Sequence, residues 1–208
     1  GRMSKLTYME DGILAAPASY SAPSAYYTPT MGRMSALEVL KGSSQIEHGP
    51  HTTGGVINYI STPIPHRKSH YIRFSYGTDN ETKLHMWTVD RIKTDAGEFG
   101  YLIETYHREN DGFKTIDSTE DFDGTSRDTG LQNRDSMVKL SWSPGTENRQ
   151  YFELKTGYTD KDANETYLGL SSSDFAANPN RRYGASRDDN MDTQHFRNYL
   201  RYSVEINP

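Results

Sequence analysis

Cysteine is missing from this 208-residue chain, which rules out a disulfide framework and any thiolate metal site. Long apolar runs are missing too. No stretch of about 18 apolar residues occurs, so no membrane-spanning helix is encoded. Hydrophobic residues make up only 33% of the chain. That is thin for a large globular core and suits sheets that bury alternate residues or line a wet interior. An excess of positive charge is also absent: the net charge is −5, which weighs against nucleic acid as a partner. There is no Gly-x-Ser-x-Gly elbow, no phosphate loop and no His-Glu-x-x-His, so the chain is not read as an enzyme and no cofactor is expected. The opening "GRMSKLTYMEDG" has no apolar signal-peptide core. Both ends are read as cut, making the chain a piece of something longer.

What is present is tyrosine, 15 in all, and a two-residue rhythm. From residue 70, apolar and polar positions alternate in six segments. "YIRFSY" sets Ile72, Phe74 and Tyr76 on one side, and "KLHMWTVDRI" is strand-like but less clean. "FGYLIETYH" sets Phe99, Tyr101, Ile103 and Thr105 against Leu102, Glu104, Tyr106 and Arg108. "MVKLSW" alternates through Val138, Leu140 and Trp142. "YFELKTGY" opposes Phe152, Leu154 and Tyr158 to Glu153, Lys155 and Gly157. "FRNYLRYSVEI" opposes Leu200, Tyr202, Val204 and Ile206 to Arg197, Tyr199, Arg201 and Glu205. In an up-and-down meander the two long connections, near 110–135 and 162–195, share one end. The short "KTDAGE" and "SPGTENRQ" share the other. Short turns at one rim, long loops at the other and aromatic residues near strand ends are the pattern of an outer-membrane barrel, whose strands need only about 9–11 residues.

The first 65 residues differ. "KLTYMEDG" reads as a strand closing on the Asp11-Gly12 turn. A loop rich in Ala, Ser, Pro and Tyr follows, then the short apolar elements "SALEVLKG" and "GGVINYIS". "TPIPHRK" reads as an extended linker. The segment "LEVLKGSSQIEHGPHTTGGVINYIS" resembles the plug signature of TonB-dependent outer-membrane receptors. Glu38, Val39, Lys41, Gly42, Gly49, Gly54, Gly55, Val56, Ile57 and Asn58 carry the resemblance, with His48 where the family usually has tyrosine. "STPIP", the tyrosine-rich loop and "ETYLGLSSSDFAANPNRRYGASRDDNMD" resemble the ferric-dicitrate branch. The resemblance implies an all-β fold with a small α/β plug portion: residues 1–65 as the C-terminal part of a plug, and 66–208 as about the first six strands of a transmembrane antiparallel barrel. It implies uptake of a ferric chelate or siderophore, TonB as partner through a segment outside this chain, and an outer-membrane location among lipid and lipopolysaccharide. Glycines at 42, 49, 54 and 55 would allow the tight turns of a stopper.

The resemblance also implies ligand contact by Tyr20, Tyr26 and Tyr27; the alternative is packing against the barrel wall. Arg181 and Arg182, with Arg187, offer forks that match the carboxylates of an anionic chelate. The alternative is pairing with Asp188, Asp189 and Asp192, or contact with lipopolysaccharide. Arg197 and Arg201, on the presumed lumen face, would extend the same positive field. Glu38 is expected to fix plug to wall through an ion pair. His48 and His51 are interrupted by Gly49 and Pro50, and "DFDG" at 121–124 has glycine where a calcium loop needs glutamate, so no metal site is expected. Two other readings stay open: a passive porin-like channel or surface adhesin, which would not need the glycine-rich segment, and a soluble β-sandwich binding module, which would need polar residues on its outer face.

Overall fold

In a computed structural model, residues 6–15, 27–43, 48, 53–120 and 129–206 are described. They form an all-β protein built on two main sheets. Strand β1 (Leu6–Glu10) turns through Asp11-Gly12 into β2 (Ile13–Leu14). Both turn residues have positive φ, 53° and 82°. This is the two-residue hairpin turn that Asp-Gly favours. After a short turn of 3-10 helix at Met31–Arg33 come β3 (Met34–Leu40) and β4 (Gly55–Ser61). The order in the small sheet is β2-β1-β4-β3. β1 runs parallel to β4 and β3 antiparallel to it.

Residues 62–68 make no strand, as two prolines dictate, yet they are held firmly. Ile64 is buried against Val89, Leu102 and Met137, with Trp87 packed on the cluster. Arg91 donates to the carbonyl oxygens of Ile64 and Pro65 at 2.8 and 3.0 Å, and its remaining nitrogen reaches Glu98 at 2.7 Å.

The large sheet is an antiparallel meander. It runs through β5 (Ser69–Tyr76), β6 (Thr82–Thr94) and β7 (Gly97–Asn110). A short β8 (Thr115–Ile116) lies in the following loop, then come β9 (Leu131–Pro144) and β10 (Gln150–Ala163). The second long loop holds helix α1 (Ser172–Ala177) and β11 (Arg181–Arg182) before β12 (Met191–Val204). The order β12-β10-β9-β7-β6-β5 is open at both edges. Loops 111–130 and 164–190 lie at the same end, as the meander requires, and β8 pairs with β11 to tie them together. That pairing and α1 have no counterpart in the sequence reading, which treats both segments as plain loops.

The two faces of this sheet are inverted relative to a water-soluble protein. One face carries Ile72, Phe74, Ile103, Leu140, Leu154, Phe196 and Leu200, and all are exposed, Ile72 by 74% and Leu200 by 73%. The opposite face carries Glu104, Asp135, Lys139, Glu153, Lys155 and Thr159, and all are buried. Period-two alternation places both sets, and every segment expected to alternate does so. The less regular β6 has a local reason: Trp87 and Val89 point to the polar face to receive Ile64. Near the short-turn end, Phe99, Trp142, Phe152 and Tyr202 form a row across four strands with ring centroids 5.9, 5.4 and 4.6 Å apart, the first two pairs stacked and the third tilted. Burying one large apolar side chain stabilises by roughly 1.5–3 kcal/mol. A whole sheet face of such side chains left exposed is far more apolar surface than scattered single residues would give. A soluble β-sandwich would need a second sheet over this face, and none covers it among the described residues.

Candidate functional site

The buried polar face meets the small sheet through charge. Arg33, inaccessible to solvent, donates to Glu10 at 2.7 Å, and its Nε lies 2.9 Å from Asp135 Oδ2, outside good hydrogen-bond geometry. Lys155 reaches Glu10 and Asp11, the latter at 2.6 Å, and Lys139 stands 3.9 Å from Asp11. Arg197 joins Asp135 at 2.7 Å and Glu10 at 3.4 Å. Gly157 makes room for it: a Cβ there would lie 2.8 Å from the guanidinium. Glu153 completes the group by accepting from the hydroxyls of Tyr151 and Tyr199. Four acids thus face four bases, with bases of the large sheet gripping Glu10 and Asp11 and Arg33 reaching the other way. Such a cluster is stable only while intact, because each desolvated charge depends on its partners.

The local chemistry follows. Burial alone would push the Glu10 carboxyl up, but Arg33, Lys155 and Arg197 outweigh it and hold the group below its usual range. Burial likewise opposes ionisation of Asp11, and Lys139 and Lys155 overcome it, bringing the carboxyl down to about 2. Burial works against the Arg33 cation, but Asp135 and Glu10 raise its pKa further, so it stays charged. A second contact lies beside the linker: Thr62 donates to the buried Glu104 at 2.6 Å, and His85 approaches the same oxygen at 2.9 Å.

Beyond the charge cluster, toward the long-loop end, lies a cleft of about 520 Å³. Residues 27–32 form one side, and Tyr106, Arg108, Asn133, Lys161 and Met191 line the other, with Tyr167 at the mouth. Tyr27 sits at its base. Its ring stacks on His195 with centroids 3.6 Å apart, and its hydroxyl accepts from Arg197. Burial pushes its phenol up to about 12, so it acts as a neutral hydrogen-bonding group. Gly32 lets the segment lie directly against Tyr106, where a Cβ would fall 2.1 Å from the ring. The cations in the cleft have partners: Arg108 meets Glu81 at 2.7 Å and Lys161 meets Glu165 at 3.5 Å.

Of the residues singled out from the sequence, Tyr27 lies in this cleft. Tyr20, Tyr26, Gly49 and His51 fall outside the described residues. Arg181 is engaged by Asp117 and Asp174 at 2.7 and 2.8 Å. Arg182 is buried and donates to Ser186 and to carbonyl oxygens of the same loop. Both arginines therefore organise the paired loops. Glu38 is exposed and accepts from Asn58 at 2.8 Å; that hydrogen bond, within the small sheet, stands where an ion pair to the wall was expected. Gly42 follows β3 with φ of 82°, Gly55 opens β4 with φ of 124°, and Gly54 lies in the turn before it. No group of three or more potential metal ligands occurs among the described residues.

Sequence reasoning missed Glu10, Asp11, Arg33, Asp135 and Lys139 as a unit. A signal existed. Charged residues at alternate positions in the middle of otherwise apolar strands need buried partners, and "EDG" and "GRM" supply the complementary charges.

No family model matches the chain. Among solved structures it is similar to the ferric citrate transporter FecA in its unliganded form, at 17% identity and a TM-score of 0.41. The match covers 82% of this chain and 33% of that one. A likeness of that size says nothing about this chain's chemistry.

Proposed function

We propose that the chain is part of a TonB-dependent outer-membrane receptor that imports a ferric chelate. Residues 1–65 are the end of the plug and residues 66–208 the first strands of the barrel wall. The inverted large sheet carries this reading: apolar side chains face out, while a charged face is neutralised by a small sheet packed on it. Outward apolar residues with an aromatic row near one rim suit a bilayer boundary. A small glycine-turned sheet held against the inner wall suits a stopper, since a wide barrel is otherwise an open channel. The cleft between residues 27–32 and the wall is the candidate chelate site, with Tyr27 at its base. The paired loops carrying Arg181 and Arg182 form the outer rim.

The test is growth of the source cell with a ferric chelate as sole iron supply, with the receptor or TonB deleted in turn. Growth lost on either deletion is the expected result. Receptor-dependent growth that persists without TonB would instead make the protein a passive channel. The parent protein should also leave membranes only with detergent.

A further inference from the structure

Resting on that reading, we propose that the cleft is built for a chelate without net negative charge and with apolar or aromatic surface, rather than for a polyanion such as ferric dicitrate. Three independent features lead there.

The first is that every cation lining the cleft among the described residues has a carboxylate partner. Arg108 is held by Glu81 through two nitrogens at 2.7 and 2.8 Å, and Glu81 also takes Lys83 at 2.6 Å. Lys161 pairs with Glu165. Arg197, beneath Tyr27, belongs to the balanced cluster of four acids and four bases. An incoming carboxylate would have to compete with carboxylates already in place on Arg108 and Lys161.

The second is the rim. Among the described residues, 111–120 with 129–130 contribute three acidic and one basic residue, and loop 164–190 four and three, so the described parts of the two loops at the mouth carry a net charge of −3. A field of that sign slows and weakens the approach of an anion, and salt screens the effect over a Debye length of about 10 Å at 0.1 M. Arg181 and Arg182 are already counted in that sum, and neither is open to a ligand, being engaged by Asp117, Asp174 and loop carbonyls.

The third is the lining. Tyr27, Tyr106, Tyr167, Met31 and Met191 present rings and thioethers, with threonine hydroxyls among them, of which those of Thr30, Thr159 and Thr166 are engaged by Asn133, Arg197 and Asp189. Rings and thioethers adapt to an apolar body, while a few hydroxyls orient neutral oxygens.

The experiment uses the full-length receptor in detergent and two probes, a neutral ferric trihydroxamate and ferric dicitrate, each titrated calorimetrically at low and high salt. The trihydroxamate should bind at least tenfold more tightly, and any dicitrate binding should strengthen with salt. A Glu81→Gln variant frees Arg108, so it should raise dicitrate affinity severalfold and leave the trihydroxamate within about twofold. Dicitrate binding that equals or exceeds the neutral probe and weakens with salt overturns the inference, while TonB-dependent growth would leave the transport reading standing. Binding of neither probe, together with growth on both chelates unaffected by deleting the receptor, overturns both.

Discussion

Arg33, in the 3-10 turn that leads into the small sheet, and Asp135 of the large sheet face each other at 2.9 Å, and neither side chain is accessible to solvent. The contact spans two sheets that share only a short linker, so it reports directly on their docking. Replacing Arg33 by methionine takes one buried partner from each of Glu10 and Asp135, leaving Lys155 and Arg197 to hold them. Removing one partner of such a group costs about 3–5 kcal/mol, whereas removing both charges together is often close to neutral. Arg33→Met should therefore loosen the small sheet, seen as faster proteolysis of residues 6–61. Arg33→Met with Asp135→Leu should recover a good part of the loss; a double variant as sensitive as the single one would contradict this account.

Acid should undock the small sheet in a defined window. Asp11 is held at about 2 against an ordinary 3.8. A depressed carboxyl adds stability that is fully present above 3.8 and disappears as pH falls through 2. The difference corresponds to roughly 2 kcal/mol at neutral pH. Glu10 shifts in the same direction. Asp11→Asn should therefore weaken docking at pH 7 and make little difference near pH 2, as followed by protease sensitivity across pH.

Gly32 sets how closely the cleft segment approaches the wall. A Cβ would lie 2.1 Å from the Tyr106 ring, so Gly32→Val must displace one or the other. Overpacking of this kind costs about 1–3 kcal/mol. Chelate binding should fall in Gly32→Val, and Tyr106→Ala should partly restore it by opening space.

Leu154 and Leu200 face each other across neighbouring strands on the exposed apolar face. In water, Leu154→Arg at an exposed site should change stability by less than about 0.5 kcal/mol. In a bilayer, the same change near the midplane costs about 2–4 kcal/mol. Refolding of the full-length protein into lipid vesicles distinguishes these outcomes. A neutral result in vesicles would sink the membrane reading.

Alternation made the large sheet legible, because a side chain's face depends only on local sequence. Glu104 and Leu102 against Ile103, and Lys155 against Leu154, could be assigned to opposite faces from the strand alone. The Asp11-Gly12 turn was legible for a similar reason, since few dipeptides adopt two positive φ values. The parallel pairing of β1 with β4 was not, because nothing local links Leu6 to Gly55. The same holds for β8 and β11, two-residue strands with no pattern of their own. For Arg181 and Arg182, side-chain type pointed to a ligand, while the two paired long loops supplied partners first.

Arg91 gives the joint between the sheets an unexpected property. By gripping the carbonyls of Ile64 and Pro65 while Ile64 is sunk among Val89, Leu102 and Met137, it removes the slack that a proline-rich tether would otherwise have. Any force drawing the small sheet away from the wall would find no hinge there to swing on. The strain would pass instead to the ionic contacts, which would have to part before the anchored end felt any load.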